Sequence, residues 1–122
     1  MEWAFNEETP IYLQIVEQIK TQIATGKLKA GDKIPSVREL AVEAGVNPNT
    51  MQKALTELER MGLLYSARTS GRFVAEDRQR TDSVHMELVE QYMRAFTENM
   101  SKVGYSPKQA QELYSEYVNS IQ

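Results

Sequence analysis

The sequence predicts a mainly α chain with one small β-hairpin: a helix-turn-helix unit that ends in the hairpin, followed by two C-terminal helices. Three observations predict it. Apolar residues recur at helical spacing in five separate stretches. Two of those stretches, 37–44 and 48–61, are divided only by a glycine corner. One segment, LLYSARTSGRFVA, instead shows two short apolar runs around a polar turn.

The first helix is predicted from Pro10 onward. In PIYLQIVEQIKTQIATG, Ile11, Ile15, Ile19 and Ile23 recur every four residues with Val16 beside them, and Gly26 stops the stripe. Thr9 is expected to cap it, with Pro10 at the first helical position. LKAGDKIP reads as a turn and a short extended piece, because Gly31 and Pro35 both resist helix. SVRELAVEAG is a short helix capped by Ser36, and Glu39 three residues on is expected to close a capping box. Val37, Leu40, Ala41 and Ala44 give that helix one apolar face. NPNTMQKALTELERMG starts again at an Asn47 cap followed by Pro48, and turns Met51, Ala54, Leu55, Leu58 and Met61 inward. The Gly45-Val46 corner makes the pair a helix-turn-helix. Leu63, Leu64 and Tyr65 then face Phe73 and Val74 across the polar turn Ala67 to Gly71, which predicts a two-stranded hairpin. A hairpin in that place is a wing, so residues 1–77 read as a winged helix-turn-helix domain.

EDRQRTD is charged and is expected to be a structureless joint near residue 78. Beyond it, Val84, Leu88, Tyr92, Phe96 and Met100, with Val89, Met93 and Val103 alongside, predict a helix of about 20 residues. Gly104 ends it, and Ser106-Pro107 with Gln109 starts another. Ala110, Leu113, Tyr114, Tyr117, Val118 and Ile121 form its apolar stripe. Residues 78–122 are thus expected to form a two-helix unit whose stripes exceed what a helical hairpin can cover. A twofold homodimer through Val84, Leu88, Tyr92, Phe96, Leu113, Tyr117 and Ile121 is the expected solution.

Composition narrows the function. With 122 residues and 41% hydrophobic content the chain buries a real core. It has no cysteine, which removes disulfides, thiolate metal sites and thiol catalysis together. The N-terminus lacks a basic, apolar leader pattern, and no apolar run approaches a membrane span, so a soluble cytoplasmic protein is expected. No catalytic constellation is visible, and the single histidine, His85, is read as a surface or interface residue rather than a metal ligand. Neither an enzyme nor a cofactor is therefore expected. Net charge is -3, but between Lys33 and Arg72 six basic residues stand against four acidic ones. Positive charge is concentrated where the helix-turn-helix and wing lie, the footprint of a nucleic-acid surface.

The residues that bear this chemistry follow from how such a unit docks on a duplex, one helix in the major groove and its predecessor across the backbone. Asn47, Asn49, Thr50, Gln52 and Lys53 carry amide, hydroxyl or ammonium groups on the first two turns of the third helix, opposite Met51 and Leu55. Amides suit adenine edges, while Thr50 and the helix start suit phosphate. Asn47 and Pro48 are expected to build the helix start, orienting the other four outward. Ser36 and Arg38 lie on the backbone-crossing helix, with Arg38 alternatively paired to Glu39 or Glu43. Arg68, Thr69, Ser70, Gly71 and Arg72 form the wing tip. Arg72 is expected either to enter a minor groove or to hang solvated at a strand end. Tyr12, Tyr92, Tyr114 and Tyr117 are candidates to line an effector pocket between the first and last helices, against a plain core role. A protein-interaction module without specific DNA binding is the alternative to a DNA-binding regulator.

Three stretches, PIYLQI, GDKIPSVRELA and VNPNTMQKALTELERMG, together resemble the GntR family of bacterial winged-helix repressors, and the likeness runs from Thr9 to Val74. The short C-terminal part resembles the YtrA-type subfamily, which follows the winged helix with a two-helix dimerisation unit. The resemblance implies a homodimeric transcriptional regulator, expected to repress from a palindromic operator, with Arg38 on a phosphate and with an unidentified small-molecule effector as a candidate partner. Family members often have arginine at the places of Pro48 and Gln52, glycine at Thr69 and threonine at Arg72. An arginine-guanine preference is therefore not expected here, and the amides suggest more A·T-directed reading.

Overall fold

The computed structural model describes residues 1–122 and follows the order α1 (Ile11–Ala24), α2 (Val37–Ala44), α3 (Pro48–Arg60), β1 (Leu64–Ala67), β2 (Gly71–Val74), α4 (Arg78–Lys102) and α5 (Pro107–Ile121). It divides into two compact units, Met1–His85 and Met86–Gln122, with the division inside α4.

In the first unit α1 buries Ile15, Val16, Ile19 and Ile23, and α3 buries Met51, Ala54, Leu55 and Leu58. The two helices pack on each other, and α2 closes against α3 through Leu40 and Ala41. Leu63, Leu64, Val74 and Val84 complete the same core. The expected stripe of α1 is therefore its buried face, but its start differs. Pro10, not Thr9, is the cap residue, and no side chain caps the helix. The carbonyl of Pro10 accepts from Leu13 and Gln14 backbone N–H, while the Gln14 amide donates to the carbonyls of Asn6 and Thr9. Gln14 and Gln18 tie down the first six residues as a strap, and stacked Trp3 and Phe5 pack on the core.

At the start of α2 the Ser36 hydroxyl accepts from Glu39 N–H at 3.2 Å. The expected box is only half formed, because the Glu39 carboxylate accepts from that hydroxyl at 3.1 Å and not from the Ser36 backbone. Gly45 adopts φ 70 at the corner, with Val46 N–H to Ala41 O and Gly45 N–H to Val42 O, the paired bonds of a Schellman motif. Only a residue that tolerates positive φ ends α2 this tightly, and that closes the angle to α3.

The wing pairs Leu64 with Val74, Tyr65 with Phe73, Ser66 with Arg72 and Ala67 with Gly71. The extended piece before α2 joins it: Lys33 bridges to Phe73, Ile34 N–H donates to Arg72 O, and Val74 N–H donates to Asp32 O. Alternation along this piece buries Ile34 and leaves Lys33 outside.

The joint expected at residue 78 is helix, not loop. Asp77 Oδ1 accepts from Arg80 N–H at 3.1 Å, which starts α4 inside the charged stretch, and Val84 is then buried in the first unit's core. In the second unit Gly104 ends α4, and Ser106 and Gln109 form the expected capping box at α5. Ala110 is its buried residue on α5, and Phe96 meets Tyr114 edge to face at 5.7 Å.

Candidate nucleic-acid interface

The first two turns of α3 divide the expected residues by role. The Asn47 side-chain carbonyl accepts from Asn49 N–H at 2.7 Å, which caps α3, and its NH2 group stays available. Asn49 and Thr50 follow with side chains that bond nothing in the chain, Asn49 exposed and Thr50 half-buried. The Gln52 amide donates to the Thr56 hydroxyl at 3.1 Å, which orients it along the helix and leaves its carbonyl and second N–H available. Lys53 bends back to α1, where its ammonium lies 3.9 Å from the centre of the Tyr12 ring.

The wing and the start of α2 flank a second surface, an open groove lined by residues 33–37, Glu39 and residues 66–72. It brings together Ser36, Arg68, Thr69, Ser70, Gly71 and Arg72; the residues of α3 lie outside it. Lys33, which the sequence reading did not single out, belongs here. A Cβ on Gly71 would lie 3.1 Å from its Cε, so the glycine lets the lysine stem cross the wing. The signal was available in the alternation that sends Ile34 inward.

Arg72 does not hang solvated at the strand end. It donates to Glu59 on α3 at 2.5 Å and is 17% exposed, with Glu59 29% exposed. Ser66, its cross-strand partner, donates to the same oxygen at 2.5 Å. The pairing register sends both side chains to one face of the hairpin, and that face meets the last turns of α3. Burial opposes ionisation of Glu59, yet the Ser66 hydroxyl and the Arg72 guanidinium outweigh it and hold the carboxyl below its ordinary range.

The other acids of the segment are also engaged. Glu57 accepts from Arg60, and Glu43 accepts from Trp3 Nε1 at 3.2 Å and from the α-ammonium of Met1 at 2.6 Å. Hydrogen bonds from these cations lower both carboxyls. Arg38 pairs with neither Glu39 nor Glu43, since the first holds Ser36 and the second the N-terminal strap. Ion pairs thus cancel Arg60 and Arg72, and the segment keeps Lys33, Arg38, Lys53 and Arg68 as cations without a carboxylate partner.

Val84 and Leu88 are 1% and 5% exposed, so both are already buried within the chain and cannot join a partner as the sequence reading expected. The same helical period marks a core turn and a surface turn alike, which is why the stripe ran through them. Tyr92, Phe96, Tyr117 and Ile121 are exposed, Leu113 is half-buried, and Met86, Val89, Met93 and Tyr114 extend the exposed apolar surface. Among the tyrosines proposed for an effector pocket, Tyr12 lies against Lys53 in the first unit, whereas Tyr114 adjoins Phe96 and Tyr117 in the second. His85 is exposed, and no group of three or more potential ligands comes together for a metal.

Residues 11–74 match the model of the bacterial regulatory proteins of the gntR family. The HTH-type transcriptional repressor YtrA of Bacillus subtilis (strain 168) is 42% identical over 95 residues, 78% of this chain and 68% of its own. A solved GntR family transcriptional regulator from Listeria monocytogenes superposes with TM-score 0.84 at 38% identity, covering 92% of this chain and 98% of that one. The DNA-binding domain of AraR, solved in complex with operator ORX1, superposes with TM-score 0.56 at 38% identity over 62% of this chain and 96% of that one.

Proposed function

The chain belongs to the gntR family of bacterial regulatory proteins, and from that premise we propose that this transcriptional regulator represses from an inverted-repeat operator as a twofold homodimer in the bacterial cytoplasm. The observation that carries the DNA reading is the commitment of groups on α3 and around it. Asn47 caps the helix through its side-chain carbonyl, Asn49, Thr50 and Gln52 keep hydrogen-bonding capacity, and four cations without carboxylate partners stand on α1-facing, α2 and wing positions. Amides at the start of a major-groove helix read base edges, and cations beside it bind phosphate. That the DNA-binding domain of AraR is solved on an operator supports the same use of this fold.

Repression is supported by the name of the YtrA relative, which is a repressor. The homodimer is supported by the exposed Tyr92, Met93, Tyr117 and Ile121 of the second unit. Twofold assembly places two α3 helices about one duplex turn apart, or a multiple of it, and so calls for an inverted repeat. We place the domain boundary within α4, between His85 and Met86, and not at residue 78.

Selection of bound duplexes from random DNA tests this directly. The expected product is an inverted repeat with A·T pairs in its half-sites, bound with an affinity that falls steeply with salt. Arg38→Ala with Arg68→Ala should remove binding while the fold persists. If no duplex is enriched, or the double variant binds like the parent, the protein is better read as a protein-interaction module.

A further inference from the structure

Lys53 is exposed on the second turn of α3, the stretch that would read bases, yet it does not extend beside Gln52. Its ammonium rests over the ring of Tyr12, 3.9 Å from the centroid. A lysine side chain is a flexible four-carbon stem with a strongly hydrated point charge, and holding it still requires a contact. The usual contact is a carboxylate, which would also neutralise it. Here no carboxylate lies within ion-pair distance, and the contact is the face of an aromatic ring. A ring attracts the cation through its quadrupole while offering no oxygen to accept the ammonium's N–H bonds. The charge is held in place but left unsatisfied.

Tyr12 is itself well anchored. It lies in the first turn of α1 after Pro10, half-buried, and packs on the core of the first unit. Its ring position is therefore set by the same packing that joins α1 to α3.

We infer that Tyr12 is a positioning residue for DNA binding: it holds the Lys53 ammonium for a backbone phosphate, and so extends the nucleic-acid surface from α3 onto the start of α1. The inference rests on the DNA reading above. It assigns Lys53 to phosphate and not to a base edge, so its contribution is the same on every sequence. It also requires the ring of Tyr12 but not its hydroxyl.

The test uses the full chain and the selected duplex alongside a scrambled one, with affinities measured over a range of salt. Lys53→Ala is expected to weaken both duplexes by the same factor and to lower the salt slope by about 1 per subunit bound. Tyr12→Leu is expected to weaken binding about two- to fivefold per subunit bound, the range for an exposed cation over a ring, and to have no further effect in the Lys53→Ala background. Tyr12→Phe should bind like the parent. In the free protein, the ring should shift the Lys53 ε-methylene protons upfield, a signature kept in Tyr12→Phe and lost in Tyr12→Leu, and this readout needs no DNA. Equal penalties for Tyr12→Leu with and without Lys53 would show a packing role only and overturn the inference. So would a Lys53→Ala effect confined to the selected duplex, or an absent ring shift in a folded parent. A parent that binds no duplex at any salt overturns the DNA reading itself, and this inference with it.

Discussion

Replacing Arg72 by alanine separates two uses of the wing, because a guanidinium held by α3 and one reserved for a minor groove respond differently. In the structure Arg72 Nε donates to Glu59 Oε1 at 2.5 Å, with 17% and 29% of the two side chains exposed. A hydrogen bond to a charged group contributes about 1.5–3 kcal/mol net, while a fully exposed ion pair contributes about 0.2–1 kcal/mol. A pair less than one-third exposed falls between, and Ser66 still bonds Glu59 after the change, so the carboxylate is not left alone. We expect Arg72→Ala to cost about 1–2 kcal/mol. For a unit of this size that lowers the melting temperature by about 5 °C or more. Glu59→Ala removes both bonds and should cost at least as much. The double variant should cost less than the sum by roughly 1 kcal/mol, the coupling of residues in contact. Urea unfolding of the parent, the two single variants and the double variant reads all four corners, and duplex affinity is measured on the same samples. If Arg72→Ala unfolds at the parent's midpoint while DNA affinity and salt slope fall, and Glu59→Ala changes neither, the Arg72–Glu59 pair does not hold the wing to α3.

Other outcomes follow from the same contacts. Asn47→Ala should cost about 1 kcal/mol of stability through the lost cap with sequence preference unchanged, whereas Asn49→Ala or Gln52→Ala should shift preference in binding-site selection by about 1–3 kcal/mol per lost base contact. Leu55→Ala, fully buried between α1 and α3, should cost about 2–5 kcal/mol in urea unfolding. Glu43, Glu57 and Glu59 all have depressed pKa values in the fold, so their contribution is present above the ordinary carboxylate value near 4.5 and is lost as pH falls through the lower folded values. Stability measured from pH 5 downward should therefore decline, less steeply in Glu59→Gln.

What was legible in the sequence is what lies within one turn of itself. Asn47 two residues before its N–H partner, Ser106 with Gln109, and Gly45 at a corner are local patterns, and the register of a short hairpin follows from its turn. Contacts between elements were not legible. Arg72 and Glu59 are 13 positions apart, and no spacing rule joins them. Lys53 finds Tyr12 on another helix, and Trp3 and Phe5 pack on the core from a strap that Gln14 and Gln18 bond. The stripe of α4 shows the limit in another way. Val84 and Tyr92 share its period, but one is buried in the first unit and the other is exposed, since period reports a face and not what covers it. Asp77 was hidden by its charged neighbours, although an aspartate before a helical run is a start signal.

The charge of the chain bears on what the proposed dimer would contribute to DNA binding. Each first unit offers Lys33, Arg38, Lys53 and Arg68 without a carboxylate partner. If each meets one phosphate, the salt slope of a single head is about -3.6, at roughly 0.9 per neutralised phosphate. Raising salt fourfold then weakens a single head by about two orders of magnitude, and the proposed dimer by about four. An acidic chain cannot offset that loss with its net charge, which repels the duplex. In the proposed dimer, joining the heads makes the second binding event intramolecular and multiplies affinity without new contacts. On the proposed reading, specificity and affinity would have different sources: the amides on α3 would select the sequence, and the apolar face of the second unit, by joining two heads, would supply the strength that four cations per head do not.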